Sequence, residues 1–462
     1  MARVAALLLI FFGCQILHAE KLARFPHDLN TRLSKQALSF VVSTKRLGKL
    51  RFQIWKNRIL KHTDSEDFRG VVERGAESFP VAASVIGDRL ELQFFARRNR
   101  TGNKRPTTIY LPIEGSDSAY LTQVSSRIVA GCGAQSYQLM SATRTMRALP
   151  LSPLRYLEIS TDADLQYYKE YRNKTLRRIQ GILNAVDVLY MNQLGIKLSV
   201  VNQNVFTTSD NPYKSSSSFS LLNTFKAHTL SQGHLGVADT FHLFTGKKLR
   251  QSIIGLAFVG KICKAASDSF GLTQRVNNSI QSLVTAHELG HLLGATHPED
   301  TLNAPDASLM TGIVRAANSS FSDFSLAQIN NNLAADSSCL SVEPGKMNDL
   351  VVSFDATEKL LGFSYHLAGY ETLTNCMFEV QAASKYSKLL RFNGSVLASG
   401  PMTNAYQLVN VAWPEAGSRK TKAFFRVVAQ CDGGEIVSSS IVKQKVSAKN
   451  RKILNSYLRS LS

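Results

Sequence analysis

Residues 287–297 read HELGHLLGATH, and the spacing inside this stretch constrains the chain more than any other feature. The run SLVTAHELGHLLG has apolar residues at helical spacing, which places His287 and His291 one turn apart on one helix face. Two imidazoles so placed can reach one ion, but an open catalytic zinc takes three protein ligands plus water. Gly294 supplies the missing geometry: a residue free to take positive φ ends the helix and turns the chain back, so that His297 approaches from outside it. Glu288, beside the first ligand, is placed to hold the zinc-bound water and accept its proton. The stretch thus predicts a Zn2+ site of His287, His291 and His297, with Glu288 as general base and later proton donor to a leaving amine. The plainer reading is a set of histidines satisfied within a helical core.

At 462 residues the chain exceeds one ordinary core, and two or three folded units are expected. It opens MARVAALLLIFFGCQILHAEK, where an apolar run from Val4 to Leu17 follows Arg3 and a small residue at Ala19 offers a cut. That pattern reads as a secretory signal peptide over residues 1–19, since the run is short for a bilayer. No later apolar stretch is long enough to cross a membrane, so a secreted, extracellular protein without a transmembrane anchor is expected.

Residues 20–147 alternate short apolar runs such as LELQFFA with basic turns such as RRNRTGNKRP, which predicts strands. The segment closes with SATRTMRALP, where Arg144 and Arg147 make a minimal basic processing site, so this unit reads as a prodomain and the protein as a zymogen. From 148 to 345 a strand, a long helical pattern and a second strand imply parallel pairing in an α/β layer. Residues 346–446 return to short alternating segments, the pattern of a small Ig-like β-sandwich, ahead of a basic tail at 447–462. The fold class is therefore α/β: a catalytic domain with a mixed twisted sheet, long helices and a zinc cleft, preceded by a β-rich prodomain and followed by the sandwich. Sequons at Asn99, Asn173, Asn277, Asn318 and Asn393 agree with secretion and a glycoprotein.

The chain carries a net charge of +20. Such an excess favours acidic surfaces, sulfated glycans among them, and for a secreted chain nucleic acid is excluded as a partner. Alternatively the charge resides in the removable pro-segment and the tail. Secretion makes disulfides available. Cys14 leaves with the signal peptide, Cys263 and Cys339 flank the zinc motif, and Cys376 and Cys431 fall on two strands of the C-terminal unit, which predicts a bridge between its sheets. Cys132 is left over.

The motif and its surroundings resemble the metzincin zinc peptidases. HELGHLLGATH followed by SLM is similar to that family's three-histidine pattern with a later Met-turn, in which Met310 would lie beneath the ligands. Pro298 after the third histidine resembles serralysins, whereas adamalysins usually carry Asp there. The rest resembles adamalysin (reprolysin) domains in order: RYLEISTDADLQYYK, then DTFHLFTG, then GLAFVGKIC, over roughly residues 153–342, and closest to short secreted members such as those of venoms and arthropod saliva. The resemblance implies a disulfide between Cys263 and Cys339. It also implies a substrate-edge strand at Gly255, Leu256 and Ala257, on which extracellular protein substrates would lie as an added antiparallel strand. It offers Glu158 and Asp239 as two ligands of a Ca2+ ion, with Val342 where an Asn would contribute. Cys132, upstream of the basic cut, is similar in position and chemistry to the family's cysteine switch, the other reading being a buried pro-segment thiol. The function implied is a zinc metalloendopeptidase; the alternative is a non-catalytic secreted protein that engages glycans or a receptor through its basic surface and sandwich.

Overall fold

The computed structural model describes residues 16–133, 155–342 and 346–447, apart from short stretches within each. The proposed cut at Arg147 lies outside the described residues, as do Cys14, Cys376 and Cys431. The N-terminal unit holds β1 (Ile16–Lys21), a short α1 (Leu29–Arg32), β2 (Ala37–Thr44), β3 (Gly48–Lys56), β4 (Asp67–Arg74), β5 (Glu77–Ile86), β6 (Arg89–Arg97), β7 (Lys104–Pro112) and β8 (Tyr120–Val124). Its strands form one antiparallel sheet in the order β1-β8-β7-β6-β5-β4-β3-β2. Just beyond β1, Arg24 bridges Ser43 of β2, so the two ends of the sheet meet and it curls around its own core. Strand periodicity fills that core: Phe40 and Val42, Phe52 and Ile54, and Leu90, Leu92 and Phe94 are buried in one cluster. A cut after Ala19 would divide β1 and leave only Glu20 and Lys21 of it.

β9 (Ile128–Cys132) follows, and it leaves the N-terminal sheet. The catalytic unit then runs β10 (Arg155–Ala163), α2 (Leu165–Tyr171), α3 (Thr175–Leu194), β11 (Ile196–Val205), α4 (Ser218–Ser231), β12 (Thr240–Thr245), β13 (Ile253–Ala257), β14 (Phe270–Gln274), α5 (Asn278–Leu292), β15 (Ile313–Arg315), α6 (Asp323–Ala335) and β16 (Ser341–Val342). Its sheet has the order β11-β10-β12-β14-β13-β9-β15. Strands β11, β10, β12 and β14 are parallel, and β13 is antiparallel to β14. β9, upstream of residue 147, thus pairs with β13 and β15 in the sheet of the unit that follows it.

Two apolar layers sandwich this sheet, and alternation along β12 shows how. Phe241 and Leu243 join Leu221, Leu222 and Phe225 of α4, whereas Phe244 joins Ile182 and Val186 of α3 and Leu283 of α5. Asp164 and Tyr190 fasten the layers. Asp164 caps α2 by accepting from Tyr167 N at 2.8 Å, and it also accepts from Thr245 Oγ1 at 2.5 Å and Gly246 N at 2.9 Å, which ties the end of β12 to α2. Tyr190 of α3 donates to the Ala286 carbonyl of α5 at 2.6 Å, joining the two long helices beneath the cleft.

The C-terminal unit contains β17 (Lys346–Asp355), β18 (Leu360–Ala368), β19 (Met377–Ala383), β20 (Ser395–Pro401), β21 (Tyr406–Ala412), β22 (Lys420–Gln430), β23 (Ile436–Ser438) and β24 (Val442–Ser447). They form two antiparallel sheets, one of β17, β18 and β21 and one of β20, β19, β22, β23 and β24. No helix among the described residues is long and apolar enough to cross a membrane.

Candidate metal centre

Helix α5 starts at Asn277, whose side chain accepts from Ser279 N at 3.1 Å, and carries His287, Glu288 and His291 through its last turns. It stops where Gly294 takes φ +105°, a conformation that L side chains rarely adopt; a Cβ there would also lie 2.8 Å from Asn332 Cβ of α6. The chain turns back and delivers His297. The result is a triangle of imidazole nitrogens: His287 Nε2 and His291 Nε2 are 3.0 Å apart, His291 and His297 3.1 Å, and His287 and His297 3.3 Å. Ligands ~2.0–2.1 Å from a tetrahedral zinc stand about 3.3 Å from one another, so the three donors fit the ion.

Each of the two helical histidines is anchored through its other ring nitrogen. His287 Nδ1 donates to the Leu309 carbonyl at 2.7 Å and His291 Nδ1 to the Ala295 carbonyl at 2.8 Å, which leaves both Nε2 lone pairs for a metal. Burial pushes the His287 pKa down to about 3, with the His297 ring nearby adding to the effect, and burial drives His291 well below the ordinary histidine range. Both imidazoles are therefore neutral, the form that coordinates. Met310 is fully buried, and a Cβ on Gly290 would meet its sulfur at 2.6 Å. The methionine thus packs against α5 beside His291, while the residue before it supplies the carbonyl that orients His287.

Glu288 is fully buried, and its Oε1 has no hydrogen-bond partner. Burial pushes its carboxyl well above the usual range. A buried orphan carboxylate oxygen beside three imidazoles suits a cation and a water. Room for it comes from β13: a Cβ on Gly255 would stand 2.1 Å from Glu288 Oε1. Gly255, Leu256 and Ala257 of β13 thus flank Glu288, paired to Thr273, Leu272 and Gly271 of β14.

The other edge of β13 holds β9. Ile253 pairs with Gly131 and Gly255 with Cys132, in parallel, and β15 closes the far side of β9 antiparallel. Cys132 N donates to the Gly312 carbonyl at 2.8 Å and Gly133 N to the Gly255 carbonyl at 3.1 Å. These bonds bring Cys132 Sγ to 3.4 Å from His291 Nε2 and 3.5 Å from Glu288 Oε2. Cys132 and the three histidines are the one group of three or more potential metal-binding side chains among the described residues, their donor atoms all within 4.8 Å of one another.

Cys263 and Cys339 are bonded to each other. Glu158 and Asp239 join no such metal-binding group among the described residues, which gives no support to Ca2+ there; Asp239 accepts from the backbone N of Glu158 at 2.7 Å and ties the entry of β12 to β10. Two sequons have engaged side chains, Asn277 as the α5 cap and Asn318, 7% exposed, donating to Thr311 Oγ1 at 3.2 Å. Sequence reasoning missed Gln328 of α6. Its Oε1 accepts from Thr296 N at 2.9 Å and its Nε2 donates to Thr296 Oγ1 at 2.8 Å, a two-point clamp on the residue before His297. Nothing in the local pattern of α6 distinguishes this glutamine from an exposed one.

The sequence profile of metallo-peptidase family M12 (Reprolysin_5) matches residues 155–335. This segment is an adamalysin/reprolysin-like metzincin domain. The chain is 28% identical over 171 residues to snake venom metalloproteinase trimerelysin-2 of Protobothrops flavoviridis, covering 35% of this chain and 83% of that protein. Over 151 residues it is 26% identical to the disintegrin and metalloproteinase domain-containing protein adm-2 of Caenorhabditis elegans, covering 32% of this chain but only 16% of that protein. Among solved structures, metalloproteinase-II from Bacteroides fragilis aligns at TM-score 0.44 with 12% identity, over 65% of this chain and 93% of that one. Metallopeptidases of family M12 use zinc, and the reprolysin domain here presents a donor set that fits it. Within that domain Pro298 stands buried, in place of the acid common in its branch.

Proposed function

We propose that the chain is a secreted zinc endopeptidase of extracellular proteins, made as a zymogen in which Cys132 blocks the centre. The observation that carries this reading is the convergence of three imidazole nitrogens, those of His287, His291 and His297, with the thiol of Cys132 beside the orphaned Oε1 of Glu288. His287, His291 and His297 would hold a zinc ion, which would supply a Lewis acid for a scissile carbonyl and for water. The chain's own groups do the rest. Glu288, 0% exposed, accepts a proton from the attacking water and returns it to the leaving amine, a role for which its raised pKa suits it. The Gly255–Ala257 backbone receives a substrate strand in antiparallel register, with the segment Thr311–Val314 forming the opposite wall.

In the latent state β9 occupies that groove. Thiolate and imidazole ligands sharing a tetrahedral zinc stand about 3.6 Å apart, near the 3.4 Å observed for Cys132 and His291. The strand runs parallel to β13, opposite to the direction proposed for substrate, so it fills the cleft without presenting a peptide bond in the cleavable sense. Cutting in 134–154 frees its C-terminal end. The test is Glu288→Ala in the processed protein with a denatured general protein as substrate. Loss of cleavage with zinc content retained is expected, together with abolition of wild-type cleavage by a chelator; full activity of the variant would overturn the reading.

A further inference from the structure

The N-terminal unit is more than a plug for the cleft. Its segment between β3 and β4 extends the catalytic sheet: Val200 N of β11 donates to the Ile59 carbonyl at 2.6 Å, and Leu60 bridges Val200 in parallel. Ile59 is 0% exposed and is buried in the catalytic core with Leu157, Leu198 and Val200. A residue of the N-terminal unit is thus a core residue of the protease domain.

Beside it lies a buried polar interface. The outward-facing residues of β4 to β6 alternate with those that fill the N-terminal core, and they meet α3. Arg178 forms two parallel bonds to Glu91, at 2.7 and 2.8 Å, with both side chains nearly buried. Asn57 donates to Asn184 at 2.7 Å and Asp187 at 2.8 Å and accepts from Lys197 at 2.8 Å. Asn184 in turn donates to the Phe68 and Ala83 carbonyls, both at 3.0 Å. Arg177 pairs with the fully buried Asp67 at 3.2 Å. Bidentate, desolvated pairs of this kind are little screened by salt, and separating the units would also expose Ile59 and the edge of β11.

We infer that the segment 16–124 stays bound to the reprolysin domain as a second, non-covalent subunit after the chain is cut in 134–154. Only β9 leaves the cleft, and the working enzyme has two chains. The inference takes the cut from the zymogen reading, but its test needs neither metal nor catalysis. A sequence-specific protease site is placed in 134–154 of the Glu288→Ala protein, the folded chain is cut, and the fragments are run on gel filtration in 0.15 M and in 0.5 M NaCl. Co-elution of both fragments at both salt concentrations is expected; elution of the N-terminal fragment apart from the rest at 0.15 M overturns the inference. Ile59→Asp should release most of the N-terminal fragment after the same cut, and co-elution of that variant would overturn the role given to this contact. If Ile59→Asp does not fold, Glu91→Gln takes its place, read by the urea concentration that separates the cut fragments: a lower value is expected, and an unchanged one counts against the interface.

Discussion

Gly255 and Glu288 face each other so closely that a single methyl group cannot come between them. A Cβ on Gly255 would lie 2.1 Å from Glu288 Oε1, 2.7 Å from its Cδ and 2.8 Å from Val284 Cγ1. The Glu288 carboxyl is therefore held in place by the absence of a side chain on the neighbouring strand. Gly255→Ala should displace the carboxylate and lower kcat roughly 100-fold while leaving bound zinc unchanged. Steady-state kinetics with metal analysis checks this, and near-normal kcat would show that Glu288 has freedom the geometry denies it.

Cys132→Ser in the uncut chain replaces a strong zinc ligand with a weak one while leaving the backbone bonds of β9 in place. Activity of the precursor should rise at least tenfold toward that of the processed enzyme. Precursor activity as low as that of the parent would assign latency to the strand alone.

The clamp on Thr296 predicts a separate effect. Gln328→Leu removes both hydrogen bonds next to the third ligand and should speed zinc loss to a chelator about tenfold, since partners that orient ligands typically matter by that much or more. Gln328→Glu retains an acceptor for Thr296 N and should recover most of the difference. An unchanged release rate in Gln328→Leu would show that Gly294 and α5 alone position His297.

His242 offers a test by pH. It is fully buried on β12, with Nε2 2.7 Å from Thr273 Oγ1, and burial pushes its pKa down to about 3. The unfolded chain, with a histidine pKa near ~6.5, binds the proton more readily, so the stability from keeping His242 neutral is complete above about pH 6.5 and declines as pH falls toward 3. At pH 5 the loss is roughly 2 kcal/mol. His242→Gln should flatten the fall in Tm between pH 7 and pH 5 relative to the parent; parallel curves would remove His242 from the account.

The sequence made the ligand helix legible because its information is local: the i, i+4 histidines, the helix-ending Gly294 and the returning His297 lie within 11 residues. The strand-helix-strand order of β10, α3 and β11 was legible for the same reason. The destination of β9 was not, because five residues of β pattern say nothing about which sheet they join, and pairing there is decided by the groove between β13 and β15. Ile59 looked like any apolar residue of an N-terminal strand unit, and only tertiary contact makes it part of the protease core. Asp239 shows the converse. A resemblance offered a metal ligand, and the fold uses the carboxylate as a backbone acceptor.

The direction of β9 bears on how this enzyme could be blocked from outside. Peptide-like inhibitors are commonly built to imitate a substrate and so inherit its vulnerability to hydrolysis. The Gly131–Cys132–Gly133 stretch supplies the opposite template: a short chain laid head for tail, gripped by the Gly255 and Gly312 carbonyls, with a sulfur where the reaction would begin. Ligands drawn on that plan would compete for the groove while offering it nothing to cut.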